Sequence, residues 1–190
     1  MRVAGLSLAA ALSLGLTSGA AAADDSLVSA YRSLCFDTAG DAAKARPIAD
    51  AAGWKAPAPN PKADAEGMFR RERWTGSQHW ELMIQEKTLP AGDLPLSTRM
   101  TICLLALSPA PAGVHGAARA LMAADPTQKD GPNWGWTFAD DGARREYIRQ
   151  ATPEAAANAV KAGRLVIVVA TESPQGGALV FTQIAKAVAP

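Results

Sequence analysis

The sequence predicts an α+β fold: a single domain in which an antiparallel sheet is covered on one face by helices. Three observations carry that expectation. Apolar residues alternate with polar ones at Trp80, Leu82 and Ile84, and again at Trp134, Trp136 and Phe138, the period of two that marks strands with one dry face. Apolar residues recur at helical spacing over Leu27, Tyr31, Leu34 and Cys35, and over Val114, Ala117, Ala118, Leu121 and Met122. Short turn-forming stretches, Thr75-Gly76-Ser77 and Ser173-Pro174-Gln175-Gly176-Gly177, join strands as hairpins rather than as parallel crossovers.

The chain opens with an export signature. Arg2 precedes the apolar run from Val3 to Leu16, and Ala21-Ala22-Ala23 offers small side chains to a signal peptidase just before Asp24 and Asp25. Residues 1–23 are therefore expected to be a signal peptide cleaved near Ala23, leaving 24–190 as one domain, periplasmic or secreted. No Cys follows the run for lipid attachment, and no later stretch of about 18 apolar residues predicts a membrane span.

A first helix is expected over Ser26 to Asp37, and a second over Asp41 to Ala52. Gly53 suits a left-handed cap, and Trp54 can fold back on Ile48 or Ala49. Pro47 predicts a kink or split near Ala45. Alternate prolines at Pro57, Pro59 and Pro61 predict an extended surface strap from Ala56 to Lys62. Met68 to Trp74 then pairs as a hairpin with the strand around Trp80. A three-residue loop would set Arg71 opposite Glu81 and Arg73 opposite His79, with other loop lengths open.

Leu96 to Leu107 forms the third strand. Ile102 to Leu107 is apolar at every position, so both faces are expected to be covered there, with the first helix over the Cys103 face. The third helix, from Val114, ends at Asp125-Pro126. Trp134 to Phe138 is a short strand, turned at Asp140-Asp141-Gly142 towards Ala143 to Gln150. Thr152-Pro153-Glu154 starts a helix that Gly163 ends. Leu165 to Ala170 reads as a central strand, and Ala178 to Ala185 as its antiparallel neighbour.

Composition narrows the function classes. The leader holds Arg2 alone among charged residues, so removing it takes 19 basic side chains to 18 against 18 acidic ones and leaves no net charge. A neutral chain lacks the positive field that nucleic acid or an anionic bilayer would reward. Cys35 and Cys103 make an even count in an exported chain, which favours one disulfide over two separately buried thiols.

Catalytic signatures are sparse. His79 and Glu81 share a strand face, but zinc needs three or four converging ligands and no third is visible. Ser77 lies near His79 without a Gly-x-Ser-x-Gly elbow. No Cys-x-x-Cys or phosphate-cradling loop occurs, so no metal or cofactor is implied. The residues best suited to contact a ligand are Trp134 and Trp136, which point the same way and could form an apolar platform, although such a stripe also suits a buried strand face. Arg70, Arg71 and Arg73, with Arg144, Arg145 and Arg149, could hold a carboxylate or phosphate if their strands are neighbours; scattered, they are ordinary solvated charges. The partner classes that follow are a small molecule, a glycan or a peptide.

The segment Leu34-Cys35-Phe36-Asp37-Thr38-Ala39-Gly40-Asp41, followed by Ala52-Gly53-Trp54, resembles the opening of small, uncharacterised exported proteins of Gram-negative bacteria. They are similar in an early Leu-Cys, a Gly-Asp, a Gly-Trp and a second Cys in a mid-chain strand. The resemblance implies no activity and adds support to a structural Cys35–Cys103 pair. The function expected is thus a non-enzymatic binding or accessory module of the periplasm. The alternatives are a small envelope hydrolase near His79, Glu81 and Ser77, or a subunit of an envelope complex.

Overall fold

Short turns set the architecture. In the computed structural model, which describes residues 27–89, 98–109, 112–148 and 153–186, strand β1 (Phe69–Thr75) turns into β2 (Gln78–Leu89) through Gly76 and Ser77 alone. Gly76 has φ +60°, and only glycine takes that position without strain in a two-residue hairpin of this kind. The loop is one residue shorter than the sequence expectation, so the register moves by one. Arg71 pairs with Leu82, Arg73 with Trp80, and Glu72 stands opposite Glu81. The proposed leader lies outside the described residues, as do Ser26, Leu96, Arg149 and Thr152.

Strands β3 (Thr98–Ser108), β4 (Gln128–Asp130), β5 (Asn133–Asp140), β6 (Arg145–Tyr147), β7 (Leu165–Ser173) and β8 (Gly176–Lys186) complete an eight-stranded sheet in the order β1-β2-β3-β8-β7-β5-β4. β6 continues the edge beyond β4 by pairing with the second half of β5. Every pairing is antiparallel. The chain is therefore a mixed α+β unit dominated by its sheet, and the run from Leu165 lies centrally, as its Val and Ile content predicts.

Among the described residues, five helical segments accompany the sheet: α1 (27–36, π-helical over Arg32–Phe36), α2 (Ala42–Ala51), α3 (Pro61–Ala65), α4 (Val114–Met122) and α5 (Pro153–Lys161). Asp41 caps α2 by accepting from the backbone N–H groups of Ala43 and Lys44. Its other end closes as expected: Gly53 has φ +82°, its N–H donates to Asp50 O, and the Trp54 N–H reaches back to Ala49 O. That is the Schellman arrangement, and Trp54 and Ala49 are both buried beside it. Helix α2 runs through Pro47 without the predicted split; Pro47 removes one early intrahelical bond, and packing of Ala45 and Ala49 keeps the rest. The proline strap also ends sooner than expected. Asn60 accepts from the Lys62 and Ala63 N–H groups, and Pro61 takes the first helical position of α3.

One core cluster joins α1, α2 and α4 to one face of the sheet. Leu27, Leu34, Ala49, Val114, Ala118 and Met122 pack with Leu82, Leu105, Trp136, Val168 and Leu179. Cys35 and Cys103 form a disulfide in this layer, their Cα atoms 5.5 Å apart. Gly40, at φ +71°, passes close above the same place, where a Cβ would come within 2.7 Å of Thr101 Cγ2. The Tyr31 hydroxyl is buried there without a hydrogen-bond partner among the described residues, and burial pushes its pKa far above the ordinary tyrosine value.

Helix α4 lacks a capping side chain of its own because Gly113 precedes it. Glu172 of β7 does that work: its carboxylate accepts from the backbone N–H groups of Gly113 and His115 at 3.0 and 3.1 Å. Burial alone would raise the Glu172 pKa, but those two donors, with His115, hold it below the ordinary carboxylate range. A lowered folded pKa stabilises the protein above the ordinary value and loses that stabilisation as pH falls through the folded one. Glu172→Gln is therefore expected to cost about 1–2 kcal/mol at neutral pH. Denaturant melts of both proteins should converge in strongly acid buffer; a gap that persists there would remove the carboxylate from this role.

The opposite face of the sheet differs. Ile102, Leu104 and Ala106 on β3 are only half-buried, so the expected covering of both faces is incomplete over this run. Register places Met83, Leu104, Val180 and Val169 in one apolar row across four strands of that face. Helix α3 borders it at the β2 side, where Gln85 donates to Glu66 Oε2 at 2.9 Å.

Candidate functional site

The five residues selected as ligand contacts, Trp134, Trp136, Arg71, Arg73 and Arg145, are not brought together in one place, although Arg71 lines the groove described below. β1 and β6 lie at opposite margins of the sheet, so Arg71 and Arg73 cannot converge with Arg145 on one anion. Each arginine is also engaged locally. Arg71 bonds Asp50 Oδ1 at 3.0 Å and covers the Phe69 ring, and Arg73 reaches Ala52 O, so both tie β1 to α2. Arg145 lies over Phe36 and near Phe138, 3.7 Å from Asp140 Oδ2. These guanidiniums face the helices because Phe69, Arg71 and Arg73 share the face of Leu82 and Trp80.

The aromatic platform fails for a related reason. Trp136 is fully buried and spends its indole N–H on Ala124 O at 3.0 Å, so it offers no face to a ligand. Trp134 stacks on His115 with ring centroids 4.3 Å apart and planes 1° apart, while the Lys129 ammonium lies 4.1 Å from the same centroid. A ring stacked so closely leaves no room for the ammonium on its own side. The two groups therefore sandwich the indole.

A concave surface exists elsewhere, on the less covered face. A groove of about 600 Å³ runs between the α3 strap and β1–β3, floored by Met83 and Leu104 and edged by Lys62, Arg70, Glu72 and Glu81. Glu81 also borders a second hollow of about 380 Å³ over Ala106, Gly176 and Ala178, where small residues lower the floor. His79 stands at the junction. Its Nε2 lies 3.3 Å from Glu72 Oε2, and its Nδ1 lies 3.7 Å from Glu81 Oε1. Trp74 stacks on the His79 ring at 4.2 Å and remains 65% exposed, unusual for so large an aromatic side chain.

This geometry has a definite chemical range. The imidazole nitrogens face two carboxylates rather than the Ser77 hydroxyl, so the nucleophile–base contact of a serine hydrolase is not formed. Among the described residues, no three His, Cys, Asp or Glu side chains converge as a metal site. No helix among them is long and apolar enough to cross a membrane. The groove offers an apolar floor and charges of both signs, and Trp74, two residues on from Glu72 and paired with His79, adds an exposed indole on the same sheet face. No family model matches the chain, and no curated protein or solved structure shows significant similarity to it.

Sequence reading named His79, Glu81 and, in its basic set, Arg70, but passed over Trp74 and Glu72. One signal for Trp74 is its phase: it stands out of step with Phe69, and so on the opposite face.

Proposed function

We propose that this chain is an exported, non-enzymatic binding module of the periplasm whose ligand lies in the groove beside Trp74. In this reading the leader-like 1–23 directs export, and α1, α2 and α4 form the closed side of the molecule. The opposite sheet face is the working side. The observation that carries the reading is Trp74, exposed and held flat against His79 on the sheet face that bears a groove of ligand-binding size, two residues on from Glu72 at the groove's edge. The helix-to-sheet disulfide supports it by holding the sheet as a rigid platform.

Trp74 also supplies the test. Trp54, Trp80 and Trp136 are buried and Trp134 is sandwiched, so a neutral quencher acts chiefly on Trp74. Soluble cell-envelope fragments are expected to reduce acrylamide quenching in the wild type and not in Trp74→Ala. Equal quenching with and without fragments would overturn the reading.

A further inference from the structure

The groove is graded in charge along β2. Residues 87, 85, 83, 81 and 79 share one face, successive positions standing roughly 7 Å apart, and the register sets Arg70 beside Met83 and Glu72 beside Glu81. Lys62 from α3 and Lys87 line the groove with Arg70, three cations against the single carboxylate of Glu66, which accepts from Gln85 between Met83 and Lys87. None of the three cations has an ion-pair partner among the described residues, and Arg70 reaches only the Ala58 carbonyl at 3.5 Å. Towards His79, Glu72 and Glu81 oppose each other directly across the ladder, a repulsive pairing unless a cation intervenes. His79 lies against both, its Nε2 3.3 Å from Glu72 Oε2 and its Nδ1 3.7 Å from Glu81 Oε1. Two carboxylates beside an open indole face make a receptor for an ammonium or guanidinium group.

We propose that the groove binds a short zwitterionic peptide. Its free carboxylate sits among Lys62, Arg70 and Lys87, and its basic group sits between Glu72, Glu81 and the face of Trp74. The ends are separated by roughly 7 Å from Arg70 to Glu72 and roughly 20 Å from Lys87 to Glu81, a span matching about two to six extended residues. Met83 and Leu104 floor the interval and suit small apolar side chains. A neutral glycan or a uniformly charged polymer would leave at least one end unmatched.

This inference rests on the groove reading above, and its test separates the two. Calorimetry on the oxidised full chain uses three probes: lysyl-alanyl-alanine, the same peptide amidated at its carboxyl end, and the same peptide acetylated on both amines. The free peptide is expected to bind, and each modification to weaken binding at least tenfold. Glu72→Gln with Glu81→Gln should lose the free peptide while retaining the wild-type melt, because removing the opposed charges relieves repulsion. Equal binding of all three peptides, or unchanged binding by the double variant, would overturn the charge assignment. Protection of Trp74 by envelope fragments with no binding of the free peptide overturns the peptide proposal alone; loss of both overturns the groove reading as well.

Discussion

Replacing Cys35 and Cys103 together by serine is expected to lower the melting temperature by about 10 °C. The bridge closes a loop with a sequence separation of 68 residues, and tethering so long a loop disfavours the unfolded chain by roughly 4 kcal/mol in the chain-entropy account. For a domain of this size each kcal/mol moves the midpoint by about 2–4 °C. The native state adds a local reason for a large effect. Cys35 ends the buried stripe of α1, Cys103 lies in the middle of β3, and both are fully buried, so each serine hydroxyl would need a partner in an apolar layer. Thermal melts of wild type with and without reductant, beside the double variant, check this. A double variant that melts within 2–3 °C of the oxidised wild type, too small a drop for a loop of this length, would show that α1 is held by packing alone.

The sheet itself was legible because its signals are local. Alternation at Trp80, Leu82 and Ile84, continuous apolarity from Leu165, and the Gly53 and Gly163 caps each depend on neighbours within a few residues. The disulfide was legible from cysteine count and the export signature. The site was not, and a single residue accounts for part of the failure. Counting Thr75 as strand rather than loop shifts the β1–β2 register by one position, which sends Arg71 and Arg73 towards α2 and Trp74 towards the groove. The remainder depended on contacts between distant parts of the chain. Nothing near Arg71 in sequence announces Asp50, 21 residues earlier, as its partner, and nothing near Trp134 announces His115 as the group stacked on its ring. Paired cations and stacked indoles look available in sequence and are already committed in space.

Trp136 and Trp74 should respond to the same substitution in opposite ways. Trp136→Ala is expected to destabilise the fold by about 3–5 kcal/mol, because it empties the largest fully buried side-chain position and orphans the Ala124 carbonyl. Trp136 stands opposite Val168 between β5 and β7, at the layer where α4 packs, so the loss falls on the joint between helix and sheet. Trp74→Ala removes a ring that is 65% exposed and touches His79, and should change stability by no more than about 0.5 kcal/mol. Denaturant titration of the two variants measures both costs on one scale. Since a residue whose removal melts the protein cannot be assigned a ligand from lost binding, Trp74 is the informative position for ligand binding and Trp136 the informative one for packing. A near-neutral Trp136→Ala would place that indole outside the core, and a Trp74→Ala cost of several kcal/mol would bury the ring that the groove needs open.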